Sequence, residues 1–381
     1  MTIRNEKIWL SSPHMSGNEM KYIDEAFRNN HVFPLGPNVI GFEDDIRKFL
    51  GVNACSCLVT GTSAIHLALI ILDVKPGDEV LCSSFTFSAS ANPIVYQKAN
   101  PVFIDSEFDS WNMDPDLLEM AIQDRIKKGK KPKVIIAVHL YGMPARMDKI
   151  MAIANFYGIP VVEDAAEALG SIYQGKACGT FGEIGILSFN GNKIITTSGG
   201  GALISNNPEY CRKATFLATQ ARDPTPHYQH SHIGYNYRMS NISAGIGRGQ
   251  MEVLQQRIQK RRDNFRFYKM SLADVAGISF FEEPSADFYS NHWLTIILLD
   301  PSLTGGITRE DLRLYFESVN VESRPLWKPM HLQPVFEDCP AYVNGTSEHL
   351  FDIGLCLPSS SNITDDERQR VVDALRKLIL K

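Results

Sequence analysis

Between Leu50 and about Ser205 the chain alternates short apolar runs rich in β-branched residues with stretches of helical periodicity. No other feature constrains the fold as much. Val134-Ile135-Ile136-Ala137-Val138 reads as a buried strand, Met147 to Tyr157 as a helix, and Pro160-Val161-Val162 reopens a strand. Strand, helix and strand in that order form a βαβ unit, whose two strands lie parallel with the helix across one face. The expected class is therefore α/β, with a parallel or mixed sheet flanked by helices. Such sheets hold ligands outside the carboxyl ends of their strands, so the polar residues that follow each strand are the first functional candidates.

The pattern changes further on. Met251, Leu254, Ile258, Phe265 and Tyr268 recur at helical spacing in a segment otherwise rich in Arg, Gln and Lys, which predicts one long amphipathic helix. Beyond it, a strand over Trp293 to Leu299 and a helix over Arg309 to Ser318 give an α+β pattern. A last helix, Asp365 to Leu380, opens on Thr364 as its N-cap. The expected organisation is a large domain over residues 1–257 and a smaller C-terminal domain over residues 258–381.

Composition removes several classes of function. A net charge of -5 offers no electrostatic case for nucleic acid or an anionic membrane as a partner. No run approaches the ~18 apolar residues of a membrane span, and Met1 to Leu10 has no apolar leader core. Seven cysteines without a C-x-x-C pair speak against zinc ribbons and disulfide scaffolds and fit a reducing cytoplasm. His227, His230 and His232 lack a cysteine or acid at ligand spacing, so no metal is expected. Gly245-Ile246-Gly247-Arg248-Gly249 lacks the spacing and the preceding strand of a dinucleotide fingerprint and reads as close helix packing, and Gly191-Asn192-Lys193 is no P-loop.

Four short segments carry chemistry. Gly61-Thr62-Ser63 precedes the helical run Ala64 to Leu72, and free N–H groups at a helix start suit a phosphate; a plain N-cap is the ordinary alternative. Ser84-Phe85-Thr86-Phe87 follows the strand Glu79 to Cys82 and offers an aromatic ring to a flat ligand, although most phenylalanines are simply core. Glu163-Asp164-Ala165-Ala166-Glu167 sets acids after a buried strand, where a carboxylate is costly unless it meets a cation such as a protonated pyridine nitrogen. An N-cap or a lysine partner would satisfy it equally. Ser188-Phe189-Asn190-Gly191-Asn192-Lys193 leaves a strand into a polar turn, where the lysine is either a solvated charge or an amine poised for a Schiff base.

Phosphate donor, stacking ring, buried acid and lysine occur in an order that resembles the DegT/DnrJ/StrS family of sugar-nucleotide aminotransferases. The similarity runs from Pro34-Leu35-Gly36-Pro37 to Met330-His331-Leu332-Gln333. Gly191 to Thr197 and Arg324 to His331 look most like members that aminate C4 of a UDP-linked 4-keto-6-deoxy-N-acetylglucosamine, on the bacillosamine route. The resemblance implies a type I pyridoxal 5'-phosphate (PLP) fold with a large mixed, mostly parallel sheet and a smaller α+β C-terminal domain. It implies a ping-pong reaction with L-glutamate as donor and a nucleotide-sugar as acceptor, in a cytoplasmic homodimer with active sites at the interface. Lys193 would form the Schiff base and shuttle the proton, Asp164 would pair with the pyridine nitrogen, and Phe87 would stack on the ring. Thr62, Ser63 and Ser188 would hold the phosphate, with Asn236 reaching it from the partner subunit. Arg238 and His331 would meet the sugar nucleotide.

One position departs from the family's pattern, which usually has Gln where this chain has Glu167. An ionised Glu would repel the cofactor's phenolic oxygen, so Glu167 is expected either protonated or turned toward the sugar, and the second is the working hypothesis. A dehydratase of the same family would carry histidine in place of Lys193. A non-catalytic binding or regulatory protein would be expected to lose Lys193 or Asp164, and both are present. Amination at C3, or of a cyclitol ketone, would leave the four segments unchanged.

Overall fold

A computed structural model describes residues 6–380 of the chain, so the N-terminal stretch read above lies partly outside it. Numbered along the chain, the large sheet takes β1 (Ala54–Leu58), β2 (Glu79–Ser83), β3 (Asn100–Ile104), β4 (Val134–Val138), β5 (Val161–Asp164), β8 (Ile184–Ser188), β9 (Gly201–Ser205) and β14 (Ala341–Tyr342). A small ribbon is built from β6 (Ile172–Tyr173), β7 (Lys176–Ala177) and β11 (Phe288–Tyr289). A second sheet takes β10 (Ile278–Phe280), β12 (Thr295–Leu299), β13 (Arg324–Pro325) and β15 (Gly354–Leu357).

The large sheet runs in the order β1-β9-β8-β5-β4-β2-β3-β14. Only β9 runs against its neighbours, β1 and β8; the other pairings are parallel. This is the mixed, mostly parallel α/β sheet expected. Both faces are covered, which is why β4 reads Val-Ile-Ile-Ala-Val and is buried at every position. The helix Met147–Tyr157 starts and stops where its periodicity predicts, closing on Gly158 in the left-handed conformation that a helix C-terminus favours.

Because β9 reverses direction, β1, β2, β4, β5 and β8 all point the same way, and their carboxyl ends form one rim. From that rim the chain enters the helix Gly61–Ile71, nearly all of which is buried against the sheet. Gly201, at the start of β9, lies where a β-carbon would come within 2.3 Å of the Thr60 carbonyl carbon and 2.4 Å of Gly61 N. Only glycine lets β9 press so close on the start of that helix.

The long helix differs from expectation. Met251 ends one helix, Asn241–Met251, and a new one begins at Leu254 and runs to Ser271. The first holds the glycine run, and a β-carbon on Gly247 or Gly249 would strike the Phe42 ring at 2.6 Å or the Glu19 backbone N at 2.7 Å. Close packing is therefore their role. The boundary expected between residues 257 and 258 falls inside the second helix, which runs unbroken across it. The second sheet is antiparallel throughout, with Arg309–Ser318 and Asp365–Ile379 packed beside it. Thr364 caps the last helix in a reciprocal capping box with Glu367. Among the described residues, no helix is long and apolar enough to cross a membrane.

Candidate active site

A cavity of about 270 Å3 opens at the rim of the large sheet. Six of the residues singled out in the sequence line it together: Thr62, Phe87, Asp164, Glu167, Ser188 and Lys193. They come from the ends of β1, β2, β5 and β8 and from the turn beyond β8, brought to one place by the parallel strand directions.

The cavity has chemically distinct ends. At one, the first turn of Gly61–Ile71 presents backbone N–H groups that have no acceptor within the helix, beside the Ser188 hydroxyl. The close approach is enforced, since a β-carbon on Gly61 would lie 3.3 Å from Ser188 Cβ. This end suits a phosphate. Ser63 does not join it, because its hydroxyl donates to the Thr60 carbonyl at 2.7 Å within the helix capping box and does not face the cavity.

Asp164 sits deeper. It is the last residue of β5, buried, with Oδ1 accepting from Ala166 N at 3.2 Å and Oδ2 from Ser90 Oγ at 2.7 Å. Two of the acids, Glu163 and Asp164, do not follow the strand, as the sequence suggested, but form its end; Glu167 does follow it. Alternation along β5 turns Glu163 to the face opposite Asp164. There Glu163 accepts from His139 Nε2 and from the N–H groups of Gly179, Phe181 and Gly182.

Lys193 reaches the cavity with its side chain largely buried. Nζ lies 3.3 Å from Glu167 Oε1 and 4.1 Å from the centre of the Trp293 ring. This is not a solvated surface lysine. Glu167 is turned inward to Lys193, and its Oε2 accepts from Tyr141 N at 2.7 Å. Burial pushes the Glu167 carboxyl above the usual carboxylate range, with the Lys193 ammonium and the Tyr141 N–H opposing that shift. Tyr141 itself adopts φ 54°, a costly conformation for a side-chain-bearing residue, and its N–H bond to Glu167 helps hold it there.

Aromatic rings form the outer wall. Phe87 is 52% exposed, whereas Phe85, two residues earlier on the same segment, is 1% exposed and belongs to the core. The general expectation for phenylalanine thus holds for Phe85 and fails at Phe87, whose ring lies 5.2 Å from Trp327. Trp293 and Trp327 also line the cavity, and the Tyr141 ring stacks near both. Neither tryptophan was singled out from the sequence. They arrive from 100 residues or more beyond Lys193, and no local pattern marks them.

Three candidates lie elsewhere. Arg238 is buried in an ion pair with Glu43 at 2.5 Å and donates to the Cys57 carbonyl at 3.0 Å, so its guanidinium is committed inside the fold. His331 is held between Ser84 Oγ at 2.6 Å and Glu348 Oε1 at 3.1 Å, behind the rim. Asn236 is exposed and outside the cavity, bridged to Thr219. Among the described residues, no His, Cys, Asp and Glu grouping could hold a metal ion.

The donor set suits a flat, phosphorylated, nitrogen-containing aromatic aldehyde. Helix N–H groups and Ser188 take the phosphate, and the otherwise costly buried Asp164 carboxylate takes a protonated ring nitrogen. A partly desolvated amine takes the aldehyde.

Known proteins agree with that chemistry. A model of the DegT/DnrJ/EryC1/StrS aminotransferase family matches residues 13–376. EpsN of Bacillus subtilis (strain 168), provisionally named a pyridoxal phosphate-dependent aminotransferase, is 53% identical over 98% of this chain and 96% of its own length. A GDP-perosamine synthase of Caulobacter vibrioides is 33% identical over 98% of this chain and 99% of its own length. The crystal structure of a DegT DnrJ EryC1 StrS aminotransferase from Brucella abortus superposes with a TM-score of 0.88 at 29% identity, covering 96% of both chains.

Proposed function

The chain belongs to the DegT/DnrJ/EryC1/StrS aminotransferase family of PLP-dependent enzymes, and from that premise we propose that it transfers the amino group of L-glutamate to C4 of a nucleotide-linked 4-keto-6-deoxy sugar. A UDP-2-acetamido-2,6-dideoxy-4-keto-hexose is the acceptor that the segments Gly191 to Thr197 and Arg324 to His331 favour, by their likeness to bacillosamine-route members. The observation that carries the reading is one cavity in which the Lys193 amine, the Asp164 carboxylate and a helix N-terminus converge.

Bound PLP supplies an aldehyde that exchanges amines and a ring that draws electron density from the neighbouring carbon. The chain's own residues do the rest. Asp164 would meet the pyridine nitrogen and keep it protonated. Thr62, the N–H groups around it and Ser188 would anchor the phosphate, and Phe87 would cover the ring. Lys193 would be the residue that holds the aldehyde end, and the same amine would carry a proton to or from the carbon that gains or loses the amino group. Trp293, Trp327 and Phe87 offer flat apolar faces to a sugar edge that carries C–H and methyl groups in place of hydroxyls.

Asn236 points into solvent here, and exposed Phe33, Leu35 and Ile40 leave apolar surface uncovered. Both support a symmetric homodimer in which Asn236 completes the partner's phosphate site. The division into a large and a small domain is proposed to run through the helix Leu254–Ser271.

The test is spectroscopic. Purified protein loaded with PLP should be yellow, bleach with L-glutamate, and recover its band with one keto-sugar from a panel. The panel holds UDP-linked 4-keto and 3-keto sugars, a cyclitol ketone, and a GDP-linked 4-keto sugar because of the relative named for GDP-perosamine. Recovery with the GDP-linked or the 3-keto compound alone would overturn the acceptor assignment. A failure to bleach with glutamate would overturn the donor.

A further inference from the structure

Asp164 is held by more than its own strand. Its Oδ2 accepts from Ser90 Oγ at 2.7 Å, and Ser90 Oγ lies 2.8 Å from Thr86 Oγ1. Serine has a single hydroxyl proton, and Ser90 spends it on Asp164. In the second contact Thr86 must therefore be the donor. All three residues are buried. The two hydroxyls thus point one way, toward the carboxylate, and each polarises the next.

We propose that Ser90, with Thr86 behind it, is a positioning residue for the transamination: the Thr86–Ser90 relay fixes the Asp164 carboxylate so that Oδ1 faces the cofactor's ring nitrogen. The proposal rests on the reading above that Asp164 meets that nitrogen. Oδ2 takes the shorter bond, from Ser90, and Oδ1 only the longer one from Ala166 N at 3.2 Å, so the carboxylate cannot rotate without breaking a charge-assisted hydrogen bond. The relay shares a rigid turn with the ring cover. Ser90 N donates to the Phe87 carbonyl at 3.1 Å, and Thr86 N to the Ser84 carbonyl at 3.0 Å. One short segment thereby sets both the face that stacks on the cofactor ring and the acid that charges it.

The test compares Ser90→Ala, Thr86→Val, the double variant and Asp164→Asn as full-length proteins. Ser90→Ala should leave the melting temperature of the cofactor-free protein close to wild type. Titration of that protein with PLP should show affinity about tenfold to hundredfold weaker, the range for one charge-assisted hydrogen bond. The 15N resonance of labelled PLP bound to it should move toward that of a neutral pyridine. In turnover, kcat should fall while the KM for glutamate changes by less than about twofold. Thr86→Val should act in the same direction more weakly and add little on top of Ser90→Ala, because the hydroxyls work in series. If Ser90→Ala does not fold, Ser90→Cys and Thr86→Val carry the same readouts. Wild-type affinity and 15N shift in the Ser90 and Thr86 variants, with both lost in Asp164→Asn, would overturn the relay alone. An unchanged Asp164→Asn would overturn the reading of Asp164 itself.

Discussion

Glu163→Gln should destabilise the protein more than its small chemical change suggests. The Glu163 carboxylate has no exposure and accepts four hydrogen bonds. Oε1 takes Phe181 N at 2.5 Å and Gly182 N at 2.6 Å; Oε2 takes Gly179 N at 2.8 Å and His139 Nε2 at 2.9 Å. A glutamine can keep only one oxygen. Whichever it keeps, its NH2 confronts two donors on the other side. His139 cannot relieve the conflict by changing tautomer, since its Nδ1 already accepts from Ala145 N at 3.0 Å. Two hydrogen bonds to a charged group are worth about 3–6 kcal/mol. Removing a buried charge returns part of that, so a loss of about 3 kcal/mol is expected. Chemical denaturation of cofactor-free protein at fixed concentration measures it. Because Asp164 is the next residue on β5 and its carbonyl accepts from His139 N at 3.1 Å, PLP affinity should fall with stability. A loss below about 1 kcal/mol, the scale of an ordinary surface change, would refute the claim that this carboxylate anchors the strand end.

Three further outcomes follow from the cavity. Lys193→Ala should show no transamination and no borohydride labelling by PLP, read by mass spectrometry of the treated protein, while the melting temperature of the cofactor-free protein stays near wild type. Gly201→Ala should weaken PLP binding at least tenfold, about 1.4 kcal/mol, because its β-carbon would displace the helix start by contact with Gly61 N at 2.4 Å; fluorescence titration measures this. Glu167→Gln tests the raised Glu167 carboxyl. A carboxyl whose folded value lies above its unfolded one contributes stability below the unfolded value, and loses it as pH rises through the folded one. The melting temperature of cofactor-free Glu167→Gln should therefore gain on wild type as pH climbs from about 4 to 7; a flat difference would refute the assignment.

The sequence made legible whatever depends on neighbours in the chain. The strand Val134–Val138 and the helix Met147–Tyr157 carry their periods within themselves, and both lie where the pattern put them. Thr62, Asp164, Ser188 and Lys193 follow from the same logic, since each stands at or just after a strand that points to the rim. Arg238 and His331 lie outside the cavity for the complementary reason. A charged or titratable side chain in a plausible segment says nothing of the distant partner that claims it, and Glu43 and Ser84 claim these two. Ser63 shows the same at shorter range, where a capping hydroxyl and a phosphate-binding hydroxyl look alike in one dimension. The break after Met251 was hidden because the apolar period continues in phase across it.

The large sheet alone does not place the reactive amine. The carbonyl of Asn192, one residue before Lys193, accepts from Ser11 Oγ at 2.6 Å and from Trp293 Nε1 at 2.8 Å. Arg261, on the helix Leu254–Ser271, donates to both Ser11 Oγ and the Trp293 carbonyl, and burial holds its own pKa down to about 9. The turn that carries Lys193 is thus gripped by the N-terminal segment and by the approach to β12, each roughly 100 residues or more away in sequence. Trp293 adds its ring face to the same amine. The hydrogen-bonded turn fixes the backbone from which the Lys193 side chain extends, and Glu167 and the Trp293 ring limit where Nζ can go. The C-terminal third therefore helps to shape the cavity, through the grip on the Asn192 carbonyl and through the Trp293 and Trp327 rings that line it.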